Sequence, residues 1–465
     1  LRFRHNLLFL KSKTHRGRAI SALAAAFANG CLHLECLCKD TQNIAMKRIL
    51  FPLLMVVCCT ALVSGADPMA TTYSFADCLG SAKPYVAPKS VAIYPDSLTP
   101  VFVNHVGRHG ARFLSSNKIV DALCGVLQRA DSAGVLSERG RRLLTIANYV
   151  SDVSRNRWGA LDSLGMAEQR GIASRMYTSY PRLFANGRVS AQSSYAPRCV
   201  MSMYEFTHQL DRLNNRVNIA TTSGPQNSAL LRPFETNSDY TEWAERKEWE
   251  EPYNMMFETS IPVAPARQLV TDANFLSNAE AQQLSFDAYK MLAGLPAMGL
   301  SVDFAEFFTV DEMNALWSCE NLNHYLRRTA TTLSLEPAYV ACDLLLDLIN
   351  TTDEAVAGNN QNGVMLRFAH AETLMPLLSL MHLHGCYYMT NYFDTVALHW
   401  RDFDVVPMSA NLQMVLFKVA KGGYCVRFDL NEVPVPLIPN SSEIYVPWEK
   451  ARDYLNQCLP PHLQI

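Results

Sequence analysis

Three stretches of the chain share one layout: an apolar run with β character, a short polar turn carrying Arg or His, and then a start of helical periodicity. The first runs Pro100-Val101-Phe102-Val103-Asn104-His105-Val106, turns through Gly107-Arg108-His109-Gly110-Ala111-Arg112, and enters a helix over 118–129 that Ser115, Ser116 or Asn117 can cap. The second runs from Gly187 to Gln192, turns through Ser193-Ser194-Tyr195-Ala196, and places Pro197 in the first turn of a helix carrying Arg198. The third runs Val364-Met365-Leu366-Arg367-Phe368, turns through Ala369-His370-Ala371-Glu372, and enters a helix over 373–381.

In open α/β sheets, ligands gather where strand C-termini meet helix N-termini, and free backbone N–H groups make that edge attractive to anions. Three such junctions predict one phosphate-sized anion pocket at one sheet edge. Between the second and third lies a stretch dominated by helical pattern, in which Met313, Leu316 and Trp317 share a face. The expected fold is therefore a three-layer α/β domain with a central, mostly parallel sheet, built from residues 67–213 and 336–465, with a helical domain inserted at 214–335. No internal period points to a solenoid or propeller.

The N-terminus has a different character. The first methionine is Met46, and Met46-Lys47-Arg48, an apolar run over 49–63 and Ser64-Gly65-Ala66 have the three-part layout of a secretory signal. The run is too short for a stable membrane span. Residues 46–66 are accordingly expected to be a signal peptide directing export to the periplasm or medium, and residues 1–45 to be upstream sequence outside the native protein. This sets aside Cys31, His33, Cys36 and Cys38, whose spacing imitates a zinc site.

Composition adds exclusions. The 465 residues are 49% hydrophobic and 18% charged with a formal charge of −2, which fits a globular chain and not a nucleic-acid binder. Setting aside 1–66, with nine Lys+Arg and two Asp+Glu, leaves 32 basic against 41 acidic residues and a formal charge of −9. Any affinity for anions must then be local.

The chemistry concentrates in Arg108-His109-Gly110-Ala111-Arg112. A neutral imidazole can attack phosphorus, flanking guanidinium groups neutralise and grip phosphoryl oxygens, and Gly110 permits either close backbone approach or a positive φ. With His370-Ala371-Glu372, this motif resembles the histidine acid phosphatases, and the His-Ala-Glu form resembles their multiple inositol-polyphosphate phosphatase branch. The similarity extends through Leu164-Gly165-Met166-Ala167-Glu168-Gln169, the 193–198 stretch and Leu231-Arg232-Pro233-Phe234-Glu235, the last without a role that chemistry assigns.

The resemblance implies a phosphomonoesterase for inositol polyphosphates, phytate foremost. In it His109 forms a phosphohistidine, Glu372 serves as proton donor, Arg108, Arg112, Arg198 and His370 clamp the phosphate, and no metal or other cofactor takes part. Lys118 stands near the place where relatives carry a phosphate-contacting lysine, though a solvated helix start explains it equally. Leu114 replaces a proline common in relatives, and Phe113 is read as a pocket wall. The competing readings are a broad acid phosphatase for sugar or glycerate phosphates and an exported binding protein without catalysis; a wide pocket with several cations beyond the clamp would favour phytate.

Weaker signals remain. His382-Leu383-His384 suits a helix C-terminus better than a metal. Asn350 and Asn440 open glycosylation sequons, and eight cysteines beyond residue 66 permit disulfides of unreadable pairing, with Cys199 expected free and buried.

Overall fold

A computed structural model describes residues 72–185 and 187–465. The proposed signal segment, the residues before it and their Cys/His cluster lie outside the described residues. Strands β1 (Leu98–Arg108), β2 (Arg188–Ser193), β3 (Asn218–Ser223), β4 (Asn362–Ala369), β5 (Asn411–Val419), β6 (Tyr424–Leu430), β7 (Val433–Val435) and β8 (Val446–Pro447) form one sheet. Its order is β3-β2-β4-β1-β5-β6-β7, with β8 on β6.

The sheet is mixed, where a mostly parallel one was expected. β3, β2, β4 and β1 are parallel, and β5 to β8 join antiparallel. For β5 and β6 the cause is the connection. Parallel neighbours need a long crossover, whereas β5 and β6 are joined by a short turn in which Gly422 and Gly423 both have positive φ, which makes that pair antiparallel; the antiparallel docking of β5 on β1 is set by tertiary packing instead.

The main helices are α1 (Lys118–Ser132), α2 (Glu138–Ser154), α3 (Ser163–Ser179), α4 (Pro197–Leu213), α5 (Asn278–Ala293), α6 (Val310–Arg328), α7 (Cys342–Val356), α8 (Ala371–Leu380) and α9 (Trp448–Gln457). Pro197 occupies the first turn of α4 as its fixed φ favours. Capping boxes start α5 (Ser277, Glu280) and α6 (Thr309, Glu312). α1 begins without the expected side-chain cap, because the Asn117 amide donates to Asp121 instead. No described helix is long and apolar enough to cross a membrane.

Strand periodicity builds the layers. On β1, Phe102 and Val106 join a core with α7, α8 and α9, while Val103 joins the opposite core with α3 and α4. On β5, Leu412, Met414 and Leu416 follow the first face and Val415 and Phe417 the second. A third core is built mainly from helices: Leu123 and Leu127 of α1 and Leu143 and Ala147 of α2 pack with Leu284, Leu292, Leu316 and Trp317 of α5 and α6. This core thus draws on helices from both sides of residue 214, and β3 falls within the 214–335 stretch read as helical.

Asp402 ties the helical layer to the chain beside the sheet. Its buried carboxylate accepts from Trp317 Nε1 at 2.9 Å and the Ser81 amide at 3.0 Å, and its Oδ2 lies 2.8 Å from His324 Nδ1. Asp402→Ala would leave these donors unpaired, and we expect a loss of about 3 kcal/mol of unfolding free energy in denaturant titration.

Candidate active site

Register brings the three junctions together. β4 lies between β2 and β1, with Arg108 opposite Ala369 and Ser193 opposite Phe368. The three strands therefore end level, and the turns that follow them occupy one edge. His109 is anchored by its amide on Ala369 O (3.1 Å) and by its own carbonyl, which accepts from the Ser409 amide at 3.1 Å.

The turn after β1 is held from behind by α3. Glu168 accepts from the Ala111 amide and the Ser409 hydroxyl, each at 2.8 Å. The Gln169 amide donates to Arg108 O at 3.1 Å, and the Gly110 amide donates to Ser202 of α4 at 3.0 Å. Of the two roles open to Gly110, the structure selects close approach: its φ is not among the positive ones, and a Cβ there would sit 2.5 Å from Gly165 O. A Cβ on Gly165 would sit 2.2 Å from Ala111 O. These two glycines let α3 pack directly against the turn.

A cavity of about 390 Å³ opens at this edge, lined by Arg108, His109, Arg112, Arg198 and Glu372 on the sheet side. His109 Nδ1 donates to Gly110 O at 2.9 Å, which leaves Nε2 with the lone pair. Burial, then Arg108, Arg112 and Arg198, hold its pKa well below the ordinary 6.5. Arg108 donates to Ser81 O and Val406 O, each at 2.5 Å, and Arg112 donates to Phe113 O at 2.8 Å. Burial and mutual repulsion push Arg108 down to about 10 and Arg112 to about 9, so both remain cations at neutral pH. The Nε atoms of Arg108, Arg112 and Arg198 are buried without a hydrogen-bond partner. Unpaired donors of this kind are costly unless an acceptor comes to them.

His370 is buried behind the lining, its ring 5.8 Å from that of His109. Ser194 Oγ lies 2.9 Å from Nε2, and Arg232 Nη1 donates to Nε2 at 2.6 Å. The proton is thereby assigned to Nδ1, which lies 3.3 Å from Arg198 Nη2. These are two adjacent donors that one oxyanion can satisfy. Burial opposes charge on Glu372, but Arg328, His370 and Arg108 outweigh it and hold the carboxyl far below its usual range.

Two expectations fail here. Lys118 is exposed at the first position of α1 and is not part of the cavity lining, although Ser115, Ser116 and Ile119 around it are, because its side chain leaves the helix start on the solvent side. Phe113 is no pocket wall: it is buried in the helical core under the Arg157 guanidinium, and Leu114 faces the cavity. Arg232 now has a role, braced on Tyr195 and Phe234 and paired with Glu235. Lys290, Glu320 and His324 of α5 and α6 form part of the lining that sequence reading did not anticipate.

Elsewhere, all eight cysteines among the described residues are free thiols, with Cys199 buried 3.5 Å from His370 Nε2. The His382 ring packs on Tyr387 at 3.9 Å. No group of three or more His, Cys, Asp or Glu side chains among the described residues is arranged to hold a metal ion.

Comparison with known proteins agrees with this geometry. The histidine phosphatase superfamily (branch 2) matches residues 101–431. The chain is 28% identical to multiple inositol polyphosphate phosphatase 1 of Homo sapiens over 373 residues, 73% of this chain and 75% of that protein. It is 24% identical to the Gallus gallus protein of the same name over 389 residues, 78% of this chain and 83% of that one. The solved structure of multiple inositol polyphosphate phosphatase from Bifidobacterium longum with inositol hexasulfate shares the fold, with a TM-score of 0.72 at 19% identity over 82% of this chain and 97% of that one.

The glycine contact is testable. Gly165→Ala should cost about 2 kcal/mol or more in stability and lower turnover, because backbone must move. Gly125→Ala, in α1 with nothing within 4 Å of the new methyl, should be neutral or stabilising by about 0.5–1 kcal/mol in the same melts.

Proposed function

The chain belongs to the histidine phosphatase superfamily, branch 2, and we propose that it hydrolyses phosphate monoesters of inositol polyphosphates through a phosphohistidine on His109. The observation that carries this reading is the set of three guanidinium groups, each with an unpartnered Nε, around an imidazole with a free lone pair. The substrate class follows the name of the relatives matched over most of the chain.

In the first step His109 Nε2 attacks phosphorus and the phosphorus–oxygen ester bond breaks. The leaving alkoxide takes a proton from Glu372. In the second step water attacks the phosphohistidine, Glu372 takes a proton from that water, and the nitrogen–phosphorus bond breaks to release inorganic phosphate. Arg108, Arg112, Arg198 and His370 bind the equatorial oxygens, where charge is spread during transfer. Glu372 is ionised when surrounded only by cations. An arriving phosphate offsets that positive field and raises the carboxyl toward its donor form. The layout over 46–66 makes export part of the proposal.

His109→Ala should abolish hydrolysis of every ester, and retained turnover would remove His109 as nucleophile. Glu372→Gln should slow inositol phosphates by about 10²–10⁴-fold and nitrophenyl phosphate far less, because nitrophenolate leaves without a proton. Equal losses would argue against a proton donor. Since burial and the three arginines hold His109 neutral well below pH 6.5, kcat/KM should show no acid-side loss from His109 near its ordinary value. A fall between pH 7 and 6 traced to His109 would contradict the site electrostatics.

A further inference from the structure

The cavity has a second wall, and its chemistry is opposite to that of the clamp. It comes from the helical layer, where Lys290 of α5 and Glu320 and His324 of α6 face the same space as His109. Lys290 Nζ donates to Glu320 Oε1 at 2.8 Å. The other carboxylate oxygen, Oε2, is buried without a partner. His324 cannot serve it readily, since its Nδ1 is engaged by Asp402 at 2.8 Å and its Nε2 stands 3.9 Å from Oε1. Among the described residues, Lys290 is the one lysine or arginine of the lining beyond the three clamp arginines, and it is already paired.

A buried carboxylate oxygen with no donor is costly, and on a cavity wall the ligand is the natural source of one. A hydroxyl supplies that donor. A phosphate dianion does not, and it meets a like charge instead. We propose that Glu320 Oε2 accepts a free ring hydroxyl of the substrate, so that this site favours inositol phosphates carrying at least one hydroxyl over the fully phosphorylated ring. The inference rests on the inositol phosphate reading above and specifies which members of that class the pocket takes. Glu320 acts on selection through substrate contact and takes no part in bond breaking. Lys290 restrains the carboxylate and limits its repulsion of neighbouring phosphates.

The test uses the ratio of kcat/KM for inositol hexakisphosphate to that for an inositol tetrakisphosphate, measured in one preparation so that the folded fraction cancels. Glu320→Gln should raise this ratio roughly tenfold, the scale of a charge-assisted hydrogen bond exchanged for a neutral one. The same change could follow if Glu320 merely sequestered Lys290 from phosphate. Glu320→Gln is therefore repeated in a Lys290→Met background, where a second rise of similar size is expected. An unchanged or lowered ratio in that background overturns the proposal. If the unmodified enzyme hydrolyses nitrophenyl phosphate but no inositol phosphate, the substrate reading itself fails and this inference with it. A change in hexakisphosphate selectivity can be judged only where that reading stands, so the two failures are distinct.

Discussion

Positive charge crowded around one imidazole is the constraint on which the rest of the site depends. Arg108, Arg112 and Arg198 share a cavity with His109, and each would leave the others if the backbone allowed. Burial removes the water that would screen them, which lowers the pKa values of Arg108, Arg112 and His109 together. What holds them is rigid scaffolding. Carbonyls of Ser81, Val406 and Phe113 take guanidinium hydrogens, and Glu168 grips the Ala111 amide. The Gly110–Gly165 approach removes slack between the turn and α3. Repulsion stored in this way is released when a phosphate arrives, so binding and electrostatic preorganisation have the same origin.

The field is local. The whole chain carries a formal charge of −2, so long-range attraction cannot gather a polyanion. Affinity must come from desolvated donors at short range. Glu372 illustrates the same point from the other sign: a carboxylate among cations is a poor acid until an anion joins it, which couples its proton inventory to occupancy of the site.

Much of this was readable in the chain because it is local in sequence. A strand, a turn and a helix start lie within about a dozen residues at each junction, and period and turn chemistry mark them without tertiary knowledge. That placed Arg108, His109, Arg112, Arg198 and Glu372 on one cavity, with His370 directly behind. Lys118 and Phe113 were misplaced because a side chain's direction after a turn depends on how Ser115-Ser116-Asn117 run, which no periodicity reports. Lys290, Glu320 and His324 lie on remote helical segments, where a lone charge looks like any solvated face. Only the packing of α5 and α6 against α1 and α2 turns them toward the cavity. The mixed sheet had a usable signal in Gly422-Gly423, a tight turn between two apolar runs, which a reading built on the three parallel-type junctions does not take up.

The two walls of the cavity come from different layers, and this separates their tasks. The sheet edge carries the groups that must be within reach of phosphorus, and register plus backbone hydrogen bonds fix them. The helical layer carries Lys290, Glu320 and His324, which line the side of the cavity opposite the clamp and, in the proposal above, meet the part of the substrate that does not react. A substitution on α5 or α6 can change which ring substituents are accepted without disturbing the register of β1, β2 and β4. Asp402 limits that freedom: it binds Trp317 in the helical core, the Ser81 amide and His324 on the wall, while Ser81 O in turn receives Arg108. The two walls are therefore joined through residues 81 and 402, so a change of shape in the helical layer reaches the phosphate clamp through three hydrogen bonds.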